Sequence, residues 1–254
     1  MNNKKIYHLH IPRTSGKSIC DALRTTFDKS MVIGAVLHDY GHLRMYDDSL
    51  FLDRPYISGH FGVNPIIENK ENLDVFSIVR EPVNHYLSVA AHVASSAKEK
   101  MSNEFLEEFL YGNITPFGSN ELFSGSGNIQ SKMLFCRMAM ADISVVALRD
   151  DDVSNELNIV FMESDMPSEK EMVNKIREMN IFAMQNRHHA ISWLDNKLRE
   201  SYGLSIDSSI NEISNCSNMD GFVPDKSHIR EIKNRSEIDT YVHRVVTERG
   251  RISA

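Results

Sequence analysis

The first thirty residues pass from strand-like alternation to helical spacing across a short polar loop. Residues 5–11 alternate between apolar and polar positions and are rich in strand formers, which predicts a strand over Lys5–Ile11. Residues 18–27 carry apolar side chains three or four positions apart, which predicts a helix. The loop between them ends Gly16-Lys17-Ser18. This segment is therefore a predicted strand–loop–helix unit.

Similar patterns recur along the chain. The continuous apolar run Val75–Val79 is typical of a strand buried in a parallel sheet. Pro82 is placed to open a helix, because the first helical position needs no N–H donor. The pattern also predicts strands at 31–37, 55–58, 143–148 and 159–162, helices at 103–111, 129–138 and 190–202, and helix starts at the capping-box pairs Ser168/Glu171 and Ser236/Asp239.

The alternation of strands and helices predicts an α/β fold, with a central, mostly parallel sheet flanked by helices on both faces. Ligands of such sheets bind beyond the carboxyl ends of the strands. The loop at 12–18, His60 and Arg80 each follow a predicted strand. We therefore expect these three features to share one edge of the sheet.

The composition fits a single domain over residues 1–254. Of the 254 residues 41% are hydrophobic, enough to build one substantial core. The chain shows neither an apolar run of about 18 residues nor a secretory leader, so no stable membrane anchor is expected. The three cysteines are widely spaced, which fits a reducing cytoplasm.

The charge distribution favours a small anionic ligand over a nucleic acid. The formal net charge is −7, whereas a nucleic-acid backbone requires a positive surface. Residues 1–30 nevertheless carry six basic side chains against two acidic ones. A basic segment on an acidic chain predicts a small anion bound near the N-terminal loop.

The loop itself has the chemistry of a phosphate-binding loop. Backbone N–H groups of Ser15–Ser18 would lie at the positive end of a helix dipole, which suits a phosphate. An ATP-type loop needs a glycine five residues before Gly16, where this chain has Ile11. No predicted strand ends in an aspartate that could hold Mg²⁺. The sequence therefore disfavours ATP, and an ordinary helix start is the alternative.

A second phosphate-binding pair is Arg80 and Ser88. An arginine at a strand end and a serine on the next helix can converge on one phosphate, because the guanidinium binds it through two N–H groups. The alternative is a surface ion pair of Arg80 with Glu81 and a solvated serine. Sequence spacing alone leaves both interpretations open.

Together these segments resemble the sulfotransferases that use 3′-phosphoadenosine 5′-phosphosulfate (PAPS), in the branch of the Golgi carbohydrate sulfotransferases and their bacterial relatives. HIPRTSGKSI is similar to that family's 5′-phosphosulfate loop, usually Ile-Pro-Lys-Thr-Gly-Gly-Thr-Ser. SIVREPVNHYLS resembles its 3′-phosphate segment, and ISGHF resembles the segment of its proposed base. Weaker similarities cover residues 128–134 and 238–241. The resemblance implies a P-loop-like three-layer α/β fold.

The resemblance also implies a role for each site residue. Arg80 and Ser88 would hold the 3′-phosphate, and His60 would take the proton of an acceptor hydroxyl while the sulfur is attacked in line. The acceptor would be a small molecule, a lipid or a sugar, and the nucleotide would leave as 3′-phosphoadenosine 5′-phosphate (PAP). The 5′-phosphosulfate would lie against the loop amides of Thr14, Ser15, Gly16, Lys17 and Ser18.

No metal is expected at such a site. A sulfuryl group in transfer carries less negative charge than a phosphoryl group, so fixed cations and N–H donors suffice. The histidine pairs His8/His10 and His38/His42 could bind a metal only with a third ligand, and no zinc-enzyme spacing accompanies them.

The chain departs from the family pattern at the cation of the loop. The family usually has lysine where this chain has Arg13, and a lysine follows at Lys17. Arginine keeps its charge but donates no proton to a leaving group. Three alternatives follow: Arg13 meets the leaving phosphate, Lys17 does so, or the protein binds PAPS or PAP with weak or no catalysis. An ATP-dependent P-loop kinase is a further alternative that rests on Gly16-Lys17-Ser18 alone.

Overall fold

A computed structural model describes residues 4–26, 32–34, 55–111, 127–147, 153–206 and 221–252. The strands in this part of the chain are β1 (Lys5–Leu9), β2 (Val32–Gly34), β3 (Tyr56–Gly59), β4 (Leu73–Val79), β5 (Met138–Ala147), β6 (Val153–Phe161) and β7 (Ile181–Ala183). The α-helices are α1 (Gly16–Thr26), α2 (Asn64–Asn69), α3 (Pro82–Ser96), α4 (Asn103–Leu110), α5 (Ile129–Phe135), α6 (Glu169–Glu178), α7 (Arg187–Tyr202), α8 (Lys226–Arg235) and α9 (Glu237–Ile252).

Five strands form one parallel sheet in the order β2-β3-β1-β4-β7. β1 is central, and its last residue, Leu9, lies opposite Gly59 of β3 and Ser77 of β4. The predicted α/β class is therefore confirmed, with a parallel sheet between helices.

Helices cover the sheet on both faces because the strand side chains alternate between two cores. On one face Ile6, Phe76 and Ile78 pack with α1 and α7. On the other face Tyr7, Leu9 and their neighbours pack with α3, α4, α5 and the C-terminal helices. The result is a three-layer arrangement in which every central strand is buried on both sides.

β5 and β6 stand apart from this sheet. They pair with each other in antiparallel register, from Met138 opposite Phe161 to Ala147 opposite Val153. The strands predicted at 143–148 and 159–162 therefore exist but do not extend the parallel sheet. The helix predicted at 129–138 ends at Phe135, since Met138 already begins β5.

Two helix starts near the sheet cap each other. The Asn128 side-chain oxygen accepts hydrogen bonds from the first amides of α9, those of Ile238 and Asp239, at 2.9 and 3.1 Å. In return the Asp239 carboxylate accepts from the amides of Gln130 and Ser131, at 3.2 and 2.7 Å, at the start of α5. Asp239 thus caps a distant helix rather than pairing with Ser236 as its spacing predicts. The reciprocal bonds fasten α9 to α5.

The capping box predicted at Ser168 and Glu171 is present at the start of α6. The Glu171 carboxylate accepts from the Ser168 backbone N–H at 2.9 Å. Within the described residues no helix combines the length and apolar character needed to cross a bilayer.

Candidate functional site

The carboxyl ends of β1, β3 and β4 bring the expected features to one edge of the sheet. β1 leads to β2 on one side, whereas β4 leads to β7 on the other, so the connections diverge between these two neighbouring strands. Such a divergence creates a crevice in which ligands of open α/β sheets bind. Residues 10–15 follow β1, His60 follows β3 and Arg80 follows β4. The predicted shared edge is confirmed.

The loop after β1 is wound tightly by left-handed residues. Arg13 has a φ of 65° and Ser15 a φ of 72°, a region that costs a residue with a side chain about 1 kcal/mol. The Thr14 hydroxyl is buried and donates to the Ile11 carbonyl at 2.7 Å, which closes the turn from inside. Ser15 stands where the resembling family has glycine, so its left-handed φ fits that pattern.

Ser15 also presents an unused polar atom. Its hydroxyl oxygen is buried and has no hydrogen-bond partner within the described residues. A buried hydroxyl without a partner is unfavourable unless something supplies one. This atom lies in the segment in which an anion is expected.

Helix α1 begins at Gly16, with Lys17 and Ser18 as its second and third residues. Its first amides therefore lack partners within the helix and lie at the positive end of its dipole. A Cβ at Gly16 would overlap the imidazole of His10, so only glycine lets the helix start this close to β1. The expected set of phosphate-binding amides is thus at a helix start.

The loop contacts the helix that follows Arg80. Arg13 Nε donates to Ser88 Oγ at 3.3 Å, although the two residues are 75 positions apart. Ser88 is 1% exposed, so the alternative of a solvated serine is wrong. The two segments that resemble the family's phosphate motifs therefore meet in space.

Arg80 is fixed through its backbone by the side chain of Gln130. The Arg80 N–H donates to Gln130 Oε1 at 2.8 Å, and Gln130 Nε2 donates to the Arg80 carbonyl at 2.9 Å. Glu81 caps α3, its carboxylate accepting from the amides of Val83 and Asn84. These bonds fix the backbone direction at Arg80, where the chain leaves the sheet. Gln130 lies in the segment 128–134, which has the weaker similarity to the sulfotransferase family.

His60 is held in the tautomer that a general base needs. Its Nδ1 lies 2.6 Å from the His10 carbonyl oxygen, and since a carbonyl only accepts, Nδ1 carries the proton. Nε2 is left with a lone pair. Burial lowers the pKa of His60 to about 4, partly offset by the bond to His10, so the ring is neutral near pH 7. The side chain is 7% exposed.

Two further histidines, the buried His8 and the partly buried His10, stack beneath the loop. The His10 ring lies between those of His60 and His8, with centroids 4.5 and 5.3 Å away, and His8 stacks on Phe76 at 4.4 Å. Burial lowers the pKa of His8 to about 3 and that of His10 well below its usual value, and repulsion between neighbouring imidazoles, were both protonated, acts in the same direction. These rings therefore act as neutral, flat packing between the sheet and α1.

Sequence reasoning missed His85 on α3. Its Nε2 lies 2.9 Å from the Pro12 carbonyl oxygen, and the side chain is buried. Burial lowers the pKa of His85 to about 4, an effect that the hydrogen bond to Pro12 partly offsets and the charges of Arg80 and Arg13 reinforce. The available signal was its position three residues before Ser88, on the same helix face.

The site combines helix-start amides, two arginines and a neutral imidazole lone pair. It can bind an anion and accept a proton. In the described part of the chain no three histidine, cysteine or acidic side chains converge as metal ligands do. His38 and His42 lie outside the described residues.

No protein-family model matches the chain. No curated protein matches it either.

Proposed function

We propose that this protein is a PAPS-dependent O-sulfotransferase of the cytoplasm that transfers a sulfuryl group to a hydroxyl of a small molecule, a lipid or a sugar. The observation that carries the proposal is the hydrogen bond of Arg13 to Ser88. It joins the segment that resembles a 5′-phosphosulfate loop to the segment that resembles a 3′-phosphate site. A nucleotide with phosphates at both positions would bridge those segments, whereas ATP would use only one of them.

The residues present fit the nucleotide. The amides at the start of α1 and the partnerless Ser15 hydroxyl suit the oxygens of the 5′-phosphosulfate. Arg80, with a backbone clamped by Gln130, offers a guanidinium to the 3′-phosphate. PAPS, when bound, supplies an activated sulfuryl group.

The reaction needs a base and a cation from the chain. His60 Nε2 would accept the proton of the acceptor hydroxyl, while the His10 carbonyl keeps the other ring nitrogen protonated. Arg13 links the loop to α3 through Ser88 and would stabilise charge on the leaving phosphate. Lys17, the second residue of α1, is the alternative cation.

Calorimetry with PAP tests the nucleotide site. Arg80→Ala should weaken PAP binding about 100-fold, because a charge-assisted bidentate contact is lost. The matched control is Arg199→Ala on α7, whose exposed guanidinium pairs with Asp195. That end of α7 lies at the opposite edge of the sheet, where the Tyr202 hydroxyl donates to the Lys4 carbonyl at 2.9 Å. Equal affinities for the two variants, or a preference of the wild type for ATP, would overturn the proposal.

The role of His60 is tested by separating binding from turnover. His60→Ala should bind PAP as the wild type does and lose at least about 100-fold in transfer, the usual worth of a general base. Transfer is measured as the mass gain of one sulfuryl group in a metabolite extract incubated with PAPS. His188→Ala, an exposed histidine on α7, is the control. Full transfer by His60→Ala would exclude the role.

A second candidate is a protein that binds PAPS or PAP without catalysis. The burial of His60 favours it, because a base that is 7% exposed is poorly placed to meet an acceptor. In that case PAP binds to the wild type with the Arg80 dependence given above, and no metabolite gains mass. Mass gain in any acceptor excludes this candidate.

A further inference from the structure

His85 joins α3 to the loop at a point separate from the contact of Arg13 with Ser88. It lies one turn after Pro82, is 2% exposed, and its Nε2 is 2.9 Å from the Pro12 carbonyl oxygen. A carbonyl oxygen only accepts, so Nε2–H is the donor. The pair spans 73 positions of sequence.

The Pro12 carbonyl belongs to the peptide group whose nitrogen is that of Arg13. Fixing this peptide plane therefore limits the φ of Arg13, which is 65° and left-handed. Such a conformation persists in a residue with a side chain only where surrounding contacts over-determine it. Pro12 is itself buried, so its carbonyl would lose a hydrogen-bond partner without His85.

We propose that His85 is a positioning residue: its Nε2–H holds the Pro12 carbonyl and thereby sets Arg13 and the amides that follow in the geometry that receives the anion. It acts through the loop and touches no reacting atom. The ligand in this statement rests on the proposed function, whereas the hold on the loop does not.

Two substitutions of His85 by amide side chains of different length distinguish a role in positioning the loop from a role in packing alone. In His85→Gln the side-chain nitrogen reaches about as far as Nε2 of histidine, whereas in His85→Asn it reaches only about as far as Nδ1. Both variants remove the ring and keep a polar amide on α3. A specific donor role therefore predicts that glutamine rescues and asparagine does not.

Hydrogen–deuterium exchange of the ligand-free full chain measures directly how often the loop opens. Peptides covering residues 11–19 should exchange about tenfold faster in His85→Asn than in wild type, as expected for the loss of one buried hydrogen bond, while His85→Gln stays near the wild type. Peptides from α7 should exchange equally in all three proteins. PAP affinity should follow the same order, about tenfold weaker for asparagine only.

The outcomes distinguish this inference from the proposed function. The role of His85 is overturned if residues 11–19 exchange equally fast in the two variants. It is also overturned if their faster exchange in His85→Asn is accompanied by a lower melting temperature and faster exchange of the whole protein. Wild-type protein that does not bind PAP overturns the proposed function, and loop exchange still decides whether His85 holds the loop. Slower exchange with glutamine than with asparagine, at equal melting temperature, supports it.

Discussion

The two segments that we propose to bind phosphate, the loop after β1 and the turn after β4, are secured in opposite ways. The loop after β1 is strained, with Arg13 and Ser15 both left-handed and the Ser15 hydroxyl buried without a partner in the described structure. The turn after β4 has none of these features: Arg80 is clamped at both its N–H and its carbonyl, and Glu81 caps the helix that follows. Strain is thus concentrated where a reacting group would lie, and the neighbouring segment is relaxed.

The supports of the two segments also differ in chemistry. The loop rests on neutral imidazoles, those of His10, His60 and His85, which charge in acid. The turn is held by the Gln130 side-chain amide, which does not titrate, while the Gln130 backbone N–H donates to Asp239 of α9, a carboxyl whose pKa is raised by burial. Charging of the imidazoles in acid should therefore weaken the loop, whereas protonation of Asp239 is the titration that reaches the turn.

The largest expected difference is in the response to pH. Four histidines at or beneath the loop have a lowered pKa in the folded protein: His8, His10, His60 and His85. Below about pH 6.5 the unfolded chain therefore binds more protons than the folded one, each histidine costing up to about 1.4 kcal/mol per pH unit. The histidine contribution to stability should be full above that pH, fall by several kcal/mol as the pH drops towards about 4, and level off below the folded-state pKa values. Urea unfolding at pH 7, 6 and 5 measures it.

The control for this prediction removes one titrating ring. His85→Gln should lower the dependence of the unfolding free energy on pH by about one proton between pH 6 and 5. A flat stability profile in the wild type, or an unchanged slope in His85→Gln, would contradict the role of the histidines in the response to acid.

Asp239→Ala should give the largest single-site loss on the side of the turn. It removes the acceptor of the Gln130 and Ser131 amides and of the Ser131 hydroxyl, which lies 2.5 Å from the carboxylate. Leaving buried donors unpaired should lower the unfolding free energy by about 3 kcal/mol at pH 7. Urea denaturation provides the measurement.

The matched control for Asp239 is an acid whose partner is exposed. Glu178→Ala breaks the surface ion pair with Lys70 and should cost below about 1 kcal/mol. If the two variants were equally stable, Asp239 would not support the turn, and the inferred connection from α9 through Gln130 to Arg80 would be wrong.

The smallest effect should be a gain in stability. Ser15→Gly relieves a left-handed residue and removes a buried hydroxyl that lacks a partner in the described structure, so it should raise the unfolding free energy by about 1 kcal/mol. Ser15→Ala keeps the Cβ and should gain less. Differential scanning calorimetry of the two variants checks the order, and a destabilised glycine variant would show that the loop is not strained at this residue.

The local parts of the fold were predictable. The alternation at 5–11 and the apolar run at 75–79 predicted β1 and β4, and Pro82 predicted the start of α3. Their parallel order then predicted that the loop, His60 and Arg80 share an edge, because carboxyl ends of parallel strands lie together. These predictions need only the local pattern of apolar and polar residues within each segment.

The missed features all depend on distant partners. β7 is three residues long, too short for a periodic signal, and it is a strand because it pairs with β4. β5 and β6 carry the same apolar pattern as sheet strands, and only tertiary pairing separates them. His85 and Gln130 matter because their partners, Pro12 and Arg80, are 73 and 50 positions away. The local pattern of residues cannot predict contacts between residues so far apart in the sequence.

The reciprocal capping of α5 and α9 has a consequence for the order in which the site is built during synthesis. The ribosome makes the loop, Arg80 and Gln130 before Asp239, so the clamp on Arg80 stands on an uncapped helix until α9 emerges. The loop needs no such wait, because His10, His60 and His85 all precede Gln130 and Asp239 in the chain. The nascent chain would therefore complete the strained half of the site first and the relaxed half last.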